Sequence, residues 1–543
     1  MKKVIIALSV LTFMFSCKKK ENVDLIVTNA KVYTVDSQFA IVESFAVKNG
    51  KFVSAGNTQD ILKKYDAEQV IDLNGKYVYP GFIDAHCHFY GYCKTLLQAD
   101  LRDTKSFDEI IRIIQQHDQK FNSEWVIGRS WDQNDWEVKE FPTKEKLDKA
   151  FPDKPVYLKR IDGHAAIANS KALEIAGITE DTKIEGGKII LENGIPSGVL
   201  IDNAMGLVSK HISDPNNETI IKVLKQGEKN CFEVGITSVG DAGLYKKEVL
   251  LIDSLQKAGK LKMRIYAMLE PNEENIIHFV KNGIYKTERL NVRSLKLYAD
   301  GALGSRGAAL IEPYTDDPHN NGLIVEPFEF YHEMCRLALK NNYQINTHAI
   351  GDSANRLMLD IYAQYLKGEN DKRWRIEHAQ IIHPDDIAKF GKYNIVPSIQ
   401  ATHATSDMYW ADERLGDRIK NAYIYNELLQ QNGWLPNGTD FPVERIDPLL
   451  TFYASVARMD VVGYPESGFQ TENALSRKET LKSMTIWAAK AAFEENEKGS
   501  IESGKFADFI VLDKDIMEVK ENEIPLVNVL FTFINGKVVC KKE

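Results

Sequence analysis

The chain has 543 residues, more than one ordinary core holds, so two or more domains or a large barrel with additions are expected. With 44% hydrophobic and 27% charged residues, its composition is that of a soluble globular protein. The formal net charge of −9, and the lack of a basic patch interleaved with aromatics, argue against nucleic acid as a partner, because a phosphate backbone needs clustered Lys and Arg.

The chain begins with a basic Lys2-Lys3 and an apolar run from Val4 to Phe15, too short to span a bilayer and typical of a secretory leader, residues 1–17. Ser16-Cys17 closes that run and resembles a bacterial lipoprotein signal, in which the Cys carries the lipid. The alternative is ordinary cleavage nearby. The expectation is therefore an exported protein, lipid-anchored to the bacterial cell envelope and touching the membrane only through Cys17. The remaining cysteines (Cys87, Cys93, Cys231, Cys335 and Cys540) have neither disulfide nor Cys-x-x-Cys spacing and read as buried thiols.

Residues 24–79 read as short strands. Ser44–Lys48 and Lys51–Gly56 flank Asn49-Gly50 as a hairpin, and Val70–Leu73 and Lys76–Tyr79 flank Asn74-Gly75 as a second one. Residues 495–541 are strand-rich in the same way, so the two ends are expected to build one small β-sandwich domain. Between them strands and helices alternate, the pattern of a parallel α/β architecture. Eight strands follow in order. The first leads into His86, and the next five are 235–241, 263–268, 294–298, 344–348 and 375–378; the last two are 395–399 and 434–440. This predicts a (β/α)₈ TIM barrel over residues 80–92 and 222–490. Roughly 145 residues separate His88 from Gly235, far more than one βα crossover needs. Residues 93–221 are therefore an insertion after the first barrel strand, expected over the barrel mouth.

The chemistry gathers at strand ends. His86 and His88 are two apart on a strand, so both point to one side and form half of a metal site, though spacing alone also fits two histidines on a polar face. His348 ends the fifth strand, His378 the sixth, and Asp440 follows the eighth. Active sites of parallel barrels are assembled at that face from several strands.

The chain resembles the amidohydrolase superfamily of metal-dependent hydrolases, specifically the family-3 branch that contains N-substituted formamide deformylase. The matching stretches are 80–88 (Pro-Gly-Phe-Ile-Asp-Ala-His-Cys-His), Asp162-Gly163-His164, 169–173, Gly198-Val199-Leu200 and 296–306. Further on come 348–352, Glu377-His378, Asp440-Phe441-Pro442 and Gly504-Lys505-Phe506-Ala507-Asp508. The resemblance implies two divalent ions, zinc foremost with manganese and iron as alternatives. It assigns His86, His88 and Asp440 to one ion and His348 and His378 to the other, with a carboxylated Lys296 bridging both. An unmodified Lys296 paired with Asp300 or Asp440 is the alternative.

Asp440 is then the general acid/base for a metal-activated hydroxide, unless it is only a turn residue. His164 and His403 are second candidates for catalysis, with a structural turn and a surface position as their alternatives. Arg306, Gln400 and Trp131 are candidates for substrate binding alongside His164, although tryptophans more often serve a core. The implied reaction is hydrolysis of a non-peptide C–N bond in a small-molecule amide, N-formyl or N-acyl amine. Ester or lactone hydrolysis, or isomerisation, on the same site are the alternatives. A binding lipoprotein without activity would not need all six ligand positions filled. A homodimer is the default assembly.

Overall fold

The computed structural model describes residues 20–121, 123–368 and 370–542; the expected leader and Cys17 lie outside them. No helix among these residues is long and apolar enough to cross a membrane.

Seven parallel strands form the central sheet: β1 (Phe82–Cys87), β2 (Ile236–Leu244), β3 (Arg264–Leu269), β4 (Leu290–Tyr298), β5 (Gln344–Ala349), β6 (Arg375–His378) and β7 (Val396–Ser398). They are buried almost throughout, as expected of strands covered on both faces by helices and barrel interior. The predicted eighth strand is an extended crossing rather than a ladder. Ile399 donates to Pro436 O and Gly438 to Ile399 O on one side, while Ala85 donates to Asn437 O and Asp440 to His86 O on the other. That segment closes the barrel between β7 and β1. A Cβ on Gly438 would stand 2.5 Å from His86 N, so only glycine permits this approach. The buried Asp84 carboxylate braces the seam by accepting from the backbone N–H and hydroxyl of Thr439.

The two chain ends build a pair of facing sheets. One holds Lys51–Gly56, Ser44–Lys48, Glu21–Thr28 and Tyr65–Asp72; the other includes Lys31–Tyr33, Tyr77–Pro80, Phe509–Leu512, Val529–Ile534 and Lys537–Lys541. Phe45, Phe52, Phe509 and Phe533 fill the space between them. The first expected hairpin forms around Asn49-Gly50, both left-handed. The second does not. Asn74-Gly75 turns with the same left-handed φ, but Tyr65–Asp72 pairs in parallel with Glu21–Thr28, and Tyr77–Pro80 pairs with Lys31–Tyr33 and Phe509–Leu512 in the other sheet. The turn thus carries the chain between sheets.

The sandwich is locked to the barrel by Arg264, at the start of β3, and Asp508. Their Nε–Oδ2 and Nη2–Oδ1 contacts are 2.5 and 3.0 Å, and both residues are buried. Removing one partner of such a pair leaves an uncompensated buried charge. Asp508→Ala is expected to lower unfolding stability by about 3–5 kcal/mol, read as a drop in denaturant midpoint; an unchanged midpoint refutes the lock.

Residues 99–202 of the insertion form a six-stranded sheet, with Val156–Arg160 and Ala165–Ala168 at its centre and Val126–Trp131 beside Val156–Arg160. The helix Phe107–Phe121 covers it through Phe107, Ile110 and Ile114, which lie on one helical face. Trp131 is fully buried in this core, stacked on Trp136, with its indole N–H donated to Leu158 O. It is a core residue rather than a substrate contact.

Candidate functional site

The carboxyl ends of the barrel strands converge below the insertion. His86 and His88 leave β1 on the same side, with ring centroids 5.6 Å apart. His86 Nδ1 lies 2.9 Å from Glu377 Oε2, in ion-pair contact though off the line of a hydrogen bond, and His88 Nδ1 lies 3.1 Å from Ala242 O. Each ring is therefore held through Nδ1, and each presents Nε2 to the Asp440 carboxylate, at 3.6 and 3.4 Å. A histidine anchored through one ring nitrogen keeps the other lone pair for a cation.

Asp440 is the hub. Its Oδ1 faces His86 and His88, and its Oδ2 lies 3.6 Å from His403 Nε2. Burial alone would raise its pKa, but His88, His86 and His378 around it hold the carboxyl well below the usual range, so it is ionised. Burial pushes His88 down to about 4, and His348 and His378 well below the ordinary imidazole value. These imidazoles are neutral, the form that binds a cation. Two ligand-bearing residues adopt left-handed backbone, His378 with φ 74° and Asp440 with φ 59°. Non-glycine residues seldom do so without a surrounding that enforces it, and such strain collects at functional sites.

Lys296, from β4, is fully buried and joins no ion pair among the described residues; its Nζ lies 3.2 Å from His86 Nε2. Burial lowers its pKa to about 8, despite the opposing fields of Glu377, Asp440 and Glu270. The pairing with Asp300 or Asp440 envisaged for an unmodified lysine is not present. Asp300 instead accepts the backbone N–H groups of Ala309, Ile350 and Gly351, shaping the loops after β4 and β5.

Two groups of ligand atoms lie within 4.8 Å of one another: His86, His88 and Asp440, and His378, His403 and Asp440. His403, shortly after β7, thus joins the residues that could hold an ion. His348 belongs to neither group; its ring is 4.6 Å from that of His378, and its Nε2 is 3.3 Å from Gly301 O. The donors fit a divalent ion. Asp440 Oδ1 and His403 Nε2 are buried with no hydrogen-bond partner, and a cation would satisfy both. Nitrogen and carboxylate donors suit zinc, manganese or iron.

His164 enters from the insertion, with its ring 4.8 Å from that of His348 and Nδ1 2.6 Å from Asp202 Oδ1. Burial lowers its pKa, but Asp202 outweighs this and raises it. His164, Lys296, His348, His378 and Asp440 line a cavity of about 340 Å³ capped by insertion residues, among them Asp132, Arg160 and Asp162. Arg306 and Gln400 are not on its wall. Arg306 is paired with Asp316, and Gln400 is buried with its side-chain amide on Ser398 O. Gln380 does line it, tied to Asp407 and Tyr423.

Residues missed in the sequence stand behind the ligands: Glu377 behind His86, Asp202 behind His164, and Asp407, whose carboxyl is pushed up to about 7 by burial despite nearby His403. Glu377 was visible only as the neighbour of His378; nothing local marks the other two.

An amidohydrolase family model matches residues 69–540. Protein LONG AFTER FAR-RED 3 of Arabidopsis thaliana is 32% identical over 537 residues, covering 95% of this chain and 91% of its own. N-substituted formamide deformylase of Arthrobacter pascens is 26% identical over 547 residues, covering 94% and 97%. The crystal structure of an uncharacterized metal-dependent hydrolase from Pyrococcus horikoshii OT3 superposes with a TM-score of 0.75 at 28% identity, over 92% of this chain and 99% of that one. With its barrel and its strand-end histidines and carboxylate, the chain belongs to the amidohydrolase family of metal-dependent hydrolases.

Proposed function

We propose that the protein hydrolyses a non-peptide C–N bond, in an amide, N-formyl or N-acyl amine, with Asp440 as general acid/base. The observation that carries this reading is the position of Asp440: an ionised, buried carboxylate with one oxygen facing His86 and His88 and the other facing His403. His86, His88, Lys296, His348, His378, His403 and Asp440 would hold two divalent ions. When bound, such ions polarise the scissile carbonyl and make water acidic enough to serve as nucleophile at neutral pH.

The remaining steps belong to the chain. Asp440 accepts the proton of the attacking water and returns it to the departing amine nitrogen, so acid and amine leave as products. His164, its pKa raised by Asp202 against the pull of burial and its ring beside that of His348, in its protonated form donates a hydrogen bond to the carbonyl oxygen as negative charge develops there. The insertion over the mouth excludes water and selects what enters.

Lys296 is suited to carboxylation. Burial without a carboxylate partner disfavours its ammonium form, and the free amine adds to CO₂ with loss of a proton, giving an anionic carbamate with two oxygens to share between ions. The formamide deformylase relative is named for a bond of the proposed class.

Metal content by mass spectrometry, followed by a hydrolysis screen of N-formyl, N-acyl and cyclic amides with matched esters, tests the reading. About two metal ions per chain and turnover of amides are expected. A metal-free folded protein, or turnover confined to esters, refutes it.

A further inference from the structure

Beside the catalytic cavity lies a larger one of about 910 Å³, which shares His88, His164 and Tyr298 with it. One wall of this second lobe is the insertion sheet, and that wall carries two basic side chains, Arg129 and Lys159. The strands Val126–Trp131 and Val156–Arg160 run parallel, with Arg129 in register with Lys159. Residues in register on neighbouring strands project to the same face, so the two basic side chains stand side by side, an arrangement that destabilises a sheet when both are charged.

Neither Arg129 nor Lys159 joins an ion pair among the described residues, and burial lowers the pKa of Lys159 to about 7 and that of Arg129 to about 10. Arg129 Nε is buried with no acceptor, and both residues line the cavity. Their acidic neighbour Asp162 is already engaged, through Oδ2 with Arg160 Nη1 at 2.6 Å and through Oδ1 with the His164 N–H at 2.9 Å. Glu124, Asp202, Asp214, Glu270, Asp300 and Glu326 also line the lobe, and none of them is in ion-pair contact with Arg129 or Lys159. Nearby Arg102 adds a third positive charge, its guanidinium donating only to the neutral carbonyls of Pro442 and Val443.

The two cationic side chains converge next to the chemistry. A Cβ placed on Gly163 would lie 3.6 Å from both Arg129 Nη2 and Lys159 Cε, and Gly163 immediately precedes His164. Burial and the neighbouring Arg129 disfavour the charged form of Lys159, an anion between the two groups would restore it, and a guanidinium fork beside an ammonium suits a carboxylate.

We propose that Arg129 and Lys159 form a carboxylate-recognition subsite, and that the substrate is an amide bearing a carboxylate on one side of the scissile bond, of the N-acyl amino acid class. The substrate assignment rests on the amide-hydrolase reading; the subsite itself does not. The second lobe would take the charged half of the substrate while the first takes the remainder, with the scissile bond at His88 and His164 where the lobes meet.

The test is calorimetric titration of the full-length, metal-loaded protein in an Asp440→Asn background, which prevents turnover. N-acetylglycine is expected to bind at least about ten-fold more tightly than N-acetylglycinamide, the value of one charge-assisted contact pair. Arg129→Gln and Lys159→Gln should each abolish most of that preference, and Arg129→Lys and Lys159→Arg should restore part of it. Thermal melts identify any variant that fails to fold, in which case the other position carries the test. Equal binding of the two probes, an unchanged preference in folded Gln variants, or tighter binding of inorganic phosphate than of N-acetylglycine overturns the proposal. Hydrolysis is measured separately with Asp440 intact. A preserved preference without turnover of any amide sinks the amide reading and leaves the anion subsite standing.

Discussion

Asp440→Asn should retain the fold and lose hydrolysis by a factor of about 10²–10⁴. The substitution keeps the shape and one oxygen donor, so the steric fit between His86, His88 and His403 is preserved. It removes the negative charge and the ability to take up a proton. A positioned general acid/base contributes rate enhancement of that order, and an amide is the demanding case because its amine must be protonated to leave. The expected signature is a fall in kcat for an amide, larger than for an ester whose leaving group needs less help, read on variant protein loaded with metal. A metal-loaded Asn variant with full amide turnover would remove Asp440 from the proton path.

Lys296→Ala should strip metal from the site. The side chain is buried among His86, Glu377 and Asp440, where a bare ammonium would repel incoming cations and a carbamate would attract them. Without it, affinity for at least one ion is expected to fall by about 100-fold or more, beyond the 10–100-fold cost of losing an outer-shell partner. Metal counting and native mass spectrometry check this together. Wild-type protein should carry the added mass of one CO₂, and bicarbonate should raise its metal occupancy but not that of the variant. Wild-type protein that holds two ions with no added mass refutes carboxylation.

Several residues explain how far the sequence could be read. His86 and His88 were legible because a strand's period of two places them together wherever the strand goes. Glu377 and His378 are adjacent, and the same rule puts them on opposite faces, yet Glu377 contacts His86 and the His378 ring lies 5.1 Å from the His86 ring. The left-handed turn at His378, at the very end of β6, brings its ring back to the mouth. His403 reads equally as a candidate for catalysis and as a surface residue until the closing segment sets Asp440 beside it. Trp131 shows the reverse error: an aromatic in the insertion over the barrel mouth suggests a pocket, but its indole is spent on the insertion's own core.

The sequence by itself determined the α/β barrel, the shared sandwich and most of the residues that gather at the barrel mouth, because hydrophobic periodicity and strand-end residues are local and survive without knowledge of partners. Only the tertiary structure decided which atoms meet. Asn49-Gly50 and Asn74-Gly75 carry the same turn signal, yet just the first makes a hairpin, since strand pairing is settled by whichever neighbour buries the strand. Arg129 and Lys159 are 30 positions apart in the chain and became a pair only through the register of two parallel strands. Lys296 and Asp440 gained their chemistry from burial, which no residue carries in its own name. Motifs mark the groups that can react; the packing around them sets their charge.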